Sequence, residues 1–306
     1  MNQNRSLLAH ILISPNEARL RAGWRVLINA LLIQAISLPI VLLLLLIEAP
    51  NTAFGANQMI AAGFAALIAV TAAVFVCRRW LDRRSIRSLG LQLDRRAGAD
   101  LLAGFLLAGA MLLLVFVIEW GAGWLSLRPT QANEALGWRP LLTTLALLAG
   151  FTATGWQEEL YFRGYLLQNL RAGLNLGWGV ALSTAAFSLA HFANPHASAI
   201  ALLGILLAGL LFAYAYLRSG RLWLAIGLHI GWNFFEGAVF GFPVSGMETL
   251  RLIHPQVNGP ELFTGGAFGP EAGLALLPAL ALGALGVYLF TRPRKIAGES
   301  ITRSSS

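Results

Sequence analysis

Eight apolar runs, near 26–47, 57–77, 101–118, 141–162, 179–195, 197–217, 222–240 and 272–290, dominate this chain. A helix needs about 20 mostly apolar residues to cross the roughly 30 Å hydrocarbon layer of a bilayer. Inside that layer every backbone polar group must be satisfied within the protein, which leaves helices or closed barrels as the only spanning structures. Only 12% of the 306 residues are charged and 57% are hydrophobic, against roughly 25% charged in a soluble domain. The expectation is an all-α polytopic membrane protein of about eight transmembrane helices.

The formal net charge of +8 would suggest nucleic acid if the basic residues formed one folded patch. They fall instead in short tracts between the apolar runs, so no nucleic-acid partner is expected. Arg5, Arg19, Arg21 and Arg25 precede the first run, and Arg78, Arg79, Arg83, Arg84, Arg87, Arg95 and Arg96 follow the second. Arg163 and Arg171, Arg218 and Arg221, and Arg292, Arg294 and Lys295 come later. With eight spans all of these lie on one side, and only Arg128, Arg139 and Arg251 on the other. The positive-inside rule then places both termini in the cytoplasm, as expected for a multi-pass protein of the cell membrane. Tryptophans at the ends of the runs, Trp24, Trp80 and Trp138 among them, mark the interfaces. Trp156 and Trp232 fall away from those ends.

The lone Cys77 excludes an intramolecular disulfide. The polar, Arg-rich start and the long first run do not read as a cleavable signal. The organisation expected is an N-terminal segment 1–25, three helices with their loops over 26–139, a four-helix core over 140–240, and an outer loop, last helix and tail over 241–306. The tail after Arg294 is expected to be disordered.

Ionisable groups inside a bilayer are costly and point to function. Here they gather in three clusters after residue 150. In Gln157-Glu158-Glu159-Leu160-Tyr161-Phe162-Arg163, Glu159 and Arg163 share a helix face and can pair. Glu158, turned about 100° away, is left free. Phe187 and His191 share a face of the fifth run, and His229 and Asn233 a face of the seventh. Taken singly, the first pair reads equally well as a helix-end salt bridge, and His191 as a bonded core histidine. Glu236 lies on the His229 stripe a further turn outward, where it could line the cavity or bind substrate, or simply reach water. His196, beside Asn194 and Pro195, reads as loop. At 1.5 Å per residue the depths of Glu158, His191 and His229 in the layer approach one another.

At a common depth these groups suit hydrolysis. A glutamate in an apolar pocket can take a proton from water, a histidine can share or deliver it, and an amide or protonated histidine can hold an oxyanion. The same histidines with a glutamate, Glu158, His191 and His229, could instead hold zinc. No Asp follows Asp100, so an aspartyl dyad is excluded, and no His-Glu-x-x-His occurs. Ser245, in Pro243-Val244-Ser245-Gly246, lacks the glycine that a rhomboid-type motif places before it and falls in a predicted outer loop.

Together, Glu158-Glu159-x-x-x-Arg163, Phe187-x-x-x-His191 and His229-x-x-x-Asn233 resemble the CAAX-protease and bacteriocin-processing (CPBP) family, which includes the type II CAAX prenyl endopeptidases. The likeness covers roughly residues 140–240. It implies an intramembrane endopeptidase acting on a membrane-anchored protein or peptide, near a CAAX-like C-terminus. By the same resemblance, Glu158 and His191 activate water, His229 and Asn233 hold the oxyanion, and Arg163 orients Glu159. Many members are classed as metalloproteases, so zinc stays open. Other members act as scaffolds or in bacteriocin immunity. A silent scaffold, and less strongly a proton-coupled transporter, are therefore the competing expectations.

Overall fold

A computed structural model describes residues 11–15, 17, 19–47, 56–127, 139–249 and 251–292. The expectations for Arg5, Arg128, Trp138, Arg294, Lys295 and the tail lie outside these residues. The described chain is helical. Helix α1 is Ala22–Ile47; α2 is Ala56–Val76, prolonged by a π turn, Cys77–Leu81; α3 is Arg95–Gly121. Helix α4, Arg139–Glu159, runs through a π segment, Leu160–Leu167, into α5, Gln168–Gly173. Then come α6, Leu176–Ala190, α7, Ala199–Ser219, and α8, Leu222–Asn233, extended by a π segment, Phe234–Val239. A single helical turn, α9 (Glu261–Thr264), precedes α10, Leu276–Phe290. One ribbon interrupts the helices: β1, Leu125–Leu127, pairs antiparallel with β2, Pro255–Val257.

Helices thus lie over each of the eight expected runs. Four stretches, Ala22–Leu43, Gly63–Leu81, Arg95–Gly121 and Ala199–Ser219, are long and apolar enough to cross a membrane. Helices α6 and α10 are apolar but shorter. Leucines stand on outer faces, among them Leu31 and Leu38 of α1, Leu102 and Leu106 of α3, and Leu285 and Leu289 of α10. Such continuous apolar surface is foreign to a water-soluble monomer and suits lipid.

Local chemistry sets the boundaries that the apolar runs left loose. Helix α3 begins six residues before its run because Asp94 caps it, accepting from the Arg96 and Ala97 amides at 2.9 and 3.2 Å. Helix α6 stops at Ala190, short of the expected 195. Pro195 disfavours helical backbone at Asn194, and His196 adopts a left-handed φ of 59°. Ser198 then caps α7.

Helix α8 sits at the centre, and all of its residues but Trp223 are buried. Glycine makes this possible: a methyl on Gly227 would collide with the Leu101 carbonyl of α3, and one on Gly104 with the Leu224 carbonyl of α8. Small residues let apolar helices meet backbone to backbone where no hydrophobic force drives them together.

Some arginines counted as loop charges are interior. Arg25 and Arg78 each donate to Asp82 at 2.9 Å, with all three side chains almost fully buried. Arg78 also donates to Gln168 at 2.6 Å and to Ser88 Oγ at 2.8 Å. The network ties the ends of α1, α2 and α5 together.

Candidate active site

Helix α4 delivers two consecutive carboxylates to different surroundings, as its 100° step per residue requires. Glu159 points inward and is fully buried. Arg163, four residues on and equally buried, donates to Glu159 Oε1 at 2.6 Å and to the Gly209 carbonyl of α7 at 3.0 Å. Its guanidinium lies 4.2 Å from the Phe187 ring centroid, so cation–π attraction adds to the ion pair. Glu158 faces a small cavity instead, and its Oε2 has no hydrogen-bond partner among the described residues.

The π segment begins directly after this Glu-Glu pair. A π turn re-aims the side chains that follow it and recurs at functional sites.

His229 approaches from α8. Its Nδ1 lies 2.9 Å from Glu159 Oε1, so one carboxylate oxygen serves both Arg163 and His229. A carboxylate held by an arginine can only accept; Nδ1 therefore carries the hydrogen and Nε2 is the nitrogen left for other partners. That Nε2 is 3.8 Å from Glu158 Oε2. Phe212 stacks on the imidazole at 4.9 Å and 15°, and Phe187 meets it edge-on at 5.9 Å. Two aromatic rings thus pack against the imidazole.

His191 closes α6. Its Nδ1 sits 2.9 Å from the Phe187 carbonyl. A carbonyl also only accepts, so Nδ1–H is the donor and the Nε2 lone pair is unspent. Glu158, His191, His229 and Asn233 line one cavity of about 50 Å³, room for a water molecule or two. The Asn233 side chain makes no hydrogen bond to the described residues, which leaves its amide for whatever occupies the cavity.

Other residues singled out in the sequence divide. Trp232 lines the cavity. Trp156 does not: its indole donates to Thr71 at 3.0 Å on α2. Glu236 neither lines the cavity nor reaches water, being fully buried with both oxygens unpartnered among the described residues. Among the described residues, no three His, Cys, Asp or Glu side chains are grouped to hold one metal ion. Glu158, His191 and His229 share the cavity but do not fit zinc as placed.

Two further polar residues join the cavity, one set aside in the sequence as loop and one not singled out there at all. Ser245 is in the loop after α8, as expected, yet it is buried and lines the cavity. Glu271 lines it too, accepting from Ser245 N and Oγ at 2.7 and 2.8 Å and from Trp232 Nε1 at 3.2 Å. The available signal was a lone acid, Gly269-Pro270-Glu271, entering an apolar run.

Residues 140–235 match the family model described as Rce1-like, type II CAAX prenyl endopeptidase Rce1-like. The match begins at the second residue of α4 and ends two residues past Asn233, so it encloses all three motifs. The CPBP likeness read from those motifs is borne out over this segment. No curated protein and no solved structure matches the chain.

Proposed function

We propose that this chain, Rce1-like over residues 140–235, is an intramembrane endopeptidase of the cell membrane. It spans the bilayer eight times with both termini in the cytoplasm, and it hydrolyses a peptide bond near a CAAX-like C-terminus of a membrane-anchored protein. The observation that carries this reading is the approach of an unpartnered carboxylate oxygen, Glu158 Oε2, to within 3.8 Å of His229 Nε2 in a cavity that His191 and Asn233 also line.

In this reading a water bound between Glu158 and His191 Nε2 loses a proton to one of them as its oxygen bonds to the scissile carbonyl carbon. The oxyanion that forms accepts from Asn233 and from His229 Nε2–H, with His229 protonated and its Nδ1–H resting on Glu159. As the carbon–nitrogen bond breaks, the same proton passes to the leaving amine. Positioned acid–base groups contribute about 10²- to 10⁴-fold, and a single oxyanion donor about 10²- to 10³-fold. No step is routed through a metal, because the donors present do not converge on one.

An apolar groove of about 260 Å³ supports the substrate class. It runs between α1, α2 and α4, lined by Ala30, Ile33, Val70, Tyr161 and Phe162, and reaches Glu158. A lipid-anchored chain could rest there with its polar end towards the carboxylates.

The test is Glu158→Gln in protein reconstituted with a prenylated CAAX-type peptide. Cleavage is expected to vanish while the protein stays folded in the membrane; cleavage at the wild-type rate would remove Glu158 as the base.

A further inference from the structure

We propose that Glu271 is a positioning residue of this site, latching the Val244–Met247 hairpin as a roof over the cavity that Glu158 and His191 line. The idea rests on the peptidase reading only for what the cavity does; the latch itself is a matter of packing.

The tip is a two-residue turn. Val244 and Met247 exchange backbone hydrogen bonds at 2.9 Å each way. Ser245 and Gly246 between them have φ of 47° and 83°, the pair of positive values that a type I′ turn demands. Glycine adopts this at no cost, whereas serine resists it. Ser245 is held there from three directions. Glu271 Oε2 takes its N–H and its hydroxyl, at 2.7 and 2.8 Å, and Asn194 donates to its carbonyl at 3.0 Å. Gly246 N donates to the Phe268 carbonyl at 2.7 Å.

Glu271 is itself anchored. Its other oxygen accepts from Trp232 of α8, and its backbone presses so closely on α7 that a methyl on Gly204 would collide with its carbonyl. The carboxylate therefore links the roof to the helix that carries His229 and Asn233. Asn194 links it to the turn that begins at His191. Val244, Ser245 and Met247 form one side of the cavity. Ligand pockets run roughly 300–1,000 Å³, and this one is about 50 Å³. A peptide bond enters the cavity between Glu158, His191 and Asn233 only when the roof lifts, and Glu271 is the group that returns it.

Access can be read without any cleavage assay. Val244→Cys, introduced into the full chain in membranes, places a thiol at a buried roof position, and native Cys77, also buried, reports any general unfolding. Maleimide labelling of Val244→Cys is expected to rise tenfold or more when Glu271→Gln is added, with Cys77 still slow. Ser245→Ala, which deletes only the hydroxyl contact, should give a smaller rise. On the activity side, Glu271→Gln should lower kcat at least tenfold with KM within about threefold, and Glu271→Asp should restore part of both readouts. Labelling unchanged in both Glu271→Gln and Ser245→Ala would overturn the latch. Accelerated labelling in a chain that cleaves no CAAX-type peptide would uphold the latch and overturn the peptidase.

Discussion

Glu159 Oε1 lies 2.9 Å from His229 Nδ1 and 2.6 Å from Arg163 Nη1, so one buried carboxylate oxygen joins the first motif of the chain to the third. Glu159 is then more than the partner of an arginine: it accepts the His229 Nδ1–H, orients the ring and, in the proposed reaction, supports the protonated imidazole. Its loss should cost less than that of Glu158, because it acts through His229. Glu159→Gln is expected to lower kcat by about 10- to 100-fold, the range seen when a group orienting a functional histidine is removed, with KM nearly unchanged. Steady-state cleavage of a CAAX-type peptide checks this, and a loss as deep as that of Glu158→Gln would give Glu159 a direct part in the chemistry.

The pairing of Glu159 with Arg163 was legible because both ends sit on one helix at a spacing that geometry fixes. That Glu158 and Glu159 face different surroundings was legible for the same reason. The bond from Glu159 to His229 was not, since it joins α4 to α8 across 70 positions, and its existence depends on how α8 docks. That docking in turn rests on the close approach of Gly227 to Leu101 and of Gly104 to Leu224, and glycines in an apolar run carry no mark of which helix they face.

Hydropathy located the helices but not their ends. Asp94 and Ser198 set starts through side-chain bonds to backbone amides, which an apolar window does not register. Glu271 stayed hidden because the loop that carries it reads as an outer connection, and only tertiary contact brings it over the cavity.

Asp82 gives a stability prediction. Its carboxylate is the shared acceptor of Arg25 and Arg78, both buried. Removing one partner of a buried pair costs about 3–5 kcal/mol, because the remaining charge is left uncompensated. Asp82→Asn should therefore destabilise the protein by about that amount, read as a lowered unfolding midpoint in detergent. A midpoint equal to the wild type would mean that the arginines find other acceptors.

Metal dependence has a definite expected result. The cavity donors are not grouped to hold one ion, and the proposed steps use protein groups alone. Activity should survive exhaustive chelation. Activity lost on chelation and recovered with zinc would instead require Glu158, His191 and His229 to close on a metal.

Asp94 supplies the pH dependence. Its two oxygens accept from both terminal nitrogens of Arg221, at 2.7 and 2.5 Å, and it also caps α3. The Arg221 hydrogen bonds hold its carboxyl well below the usual aspartate range, with the Ala97 and Arg96 amides adding to the effect. A group whose folded-state pKa is depressed stabilises the fold fully above its unfolded value, about 3.9 for aspartate. That stabilisation is lost as pH falls from there towards the folded value. The pair should therefore act as a constant clamp between α3 and α8 from pH 5 to 8 and weaken below about pH 4. The difference in melting temperature between wild type and Asp94→Ala is expected to be level across the upper range and to shrink as the pH is taken below 4. A difference that stayed constant down to pH 2.5 would mean that capping geometry, rather than the Asp94 charge, holds the start of α3.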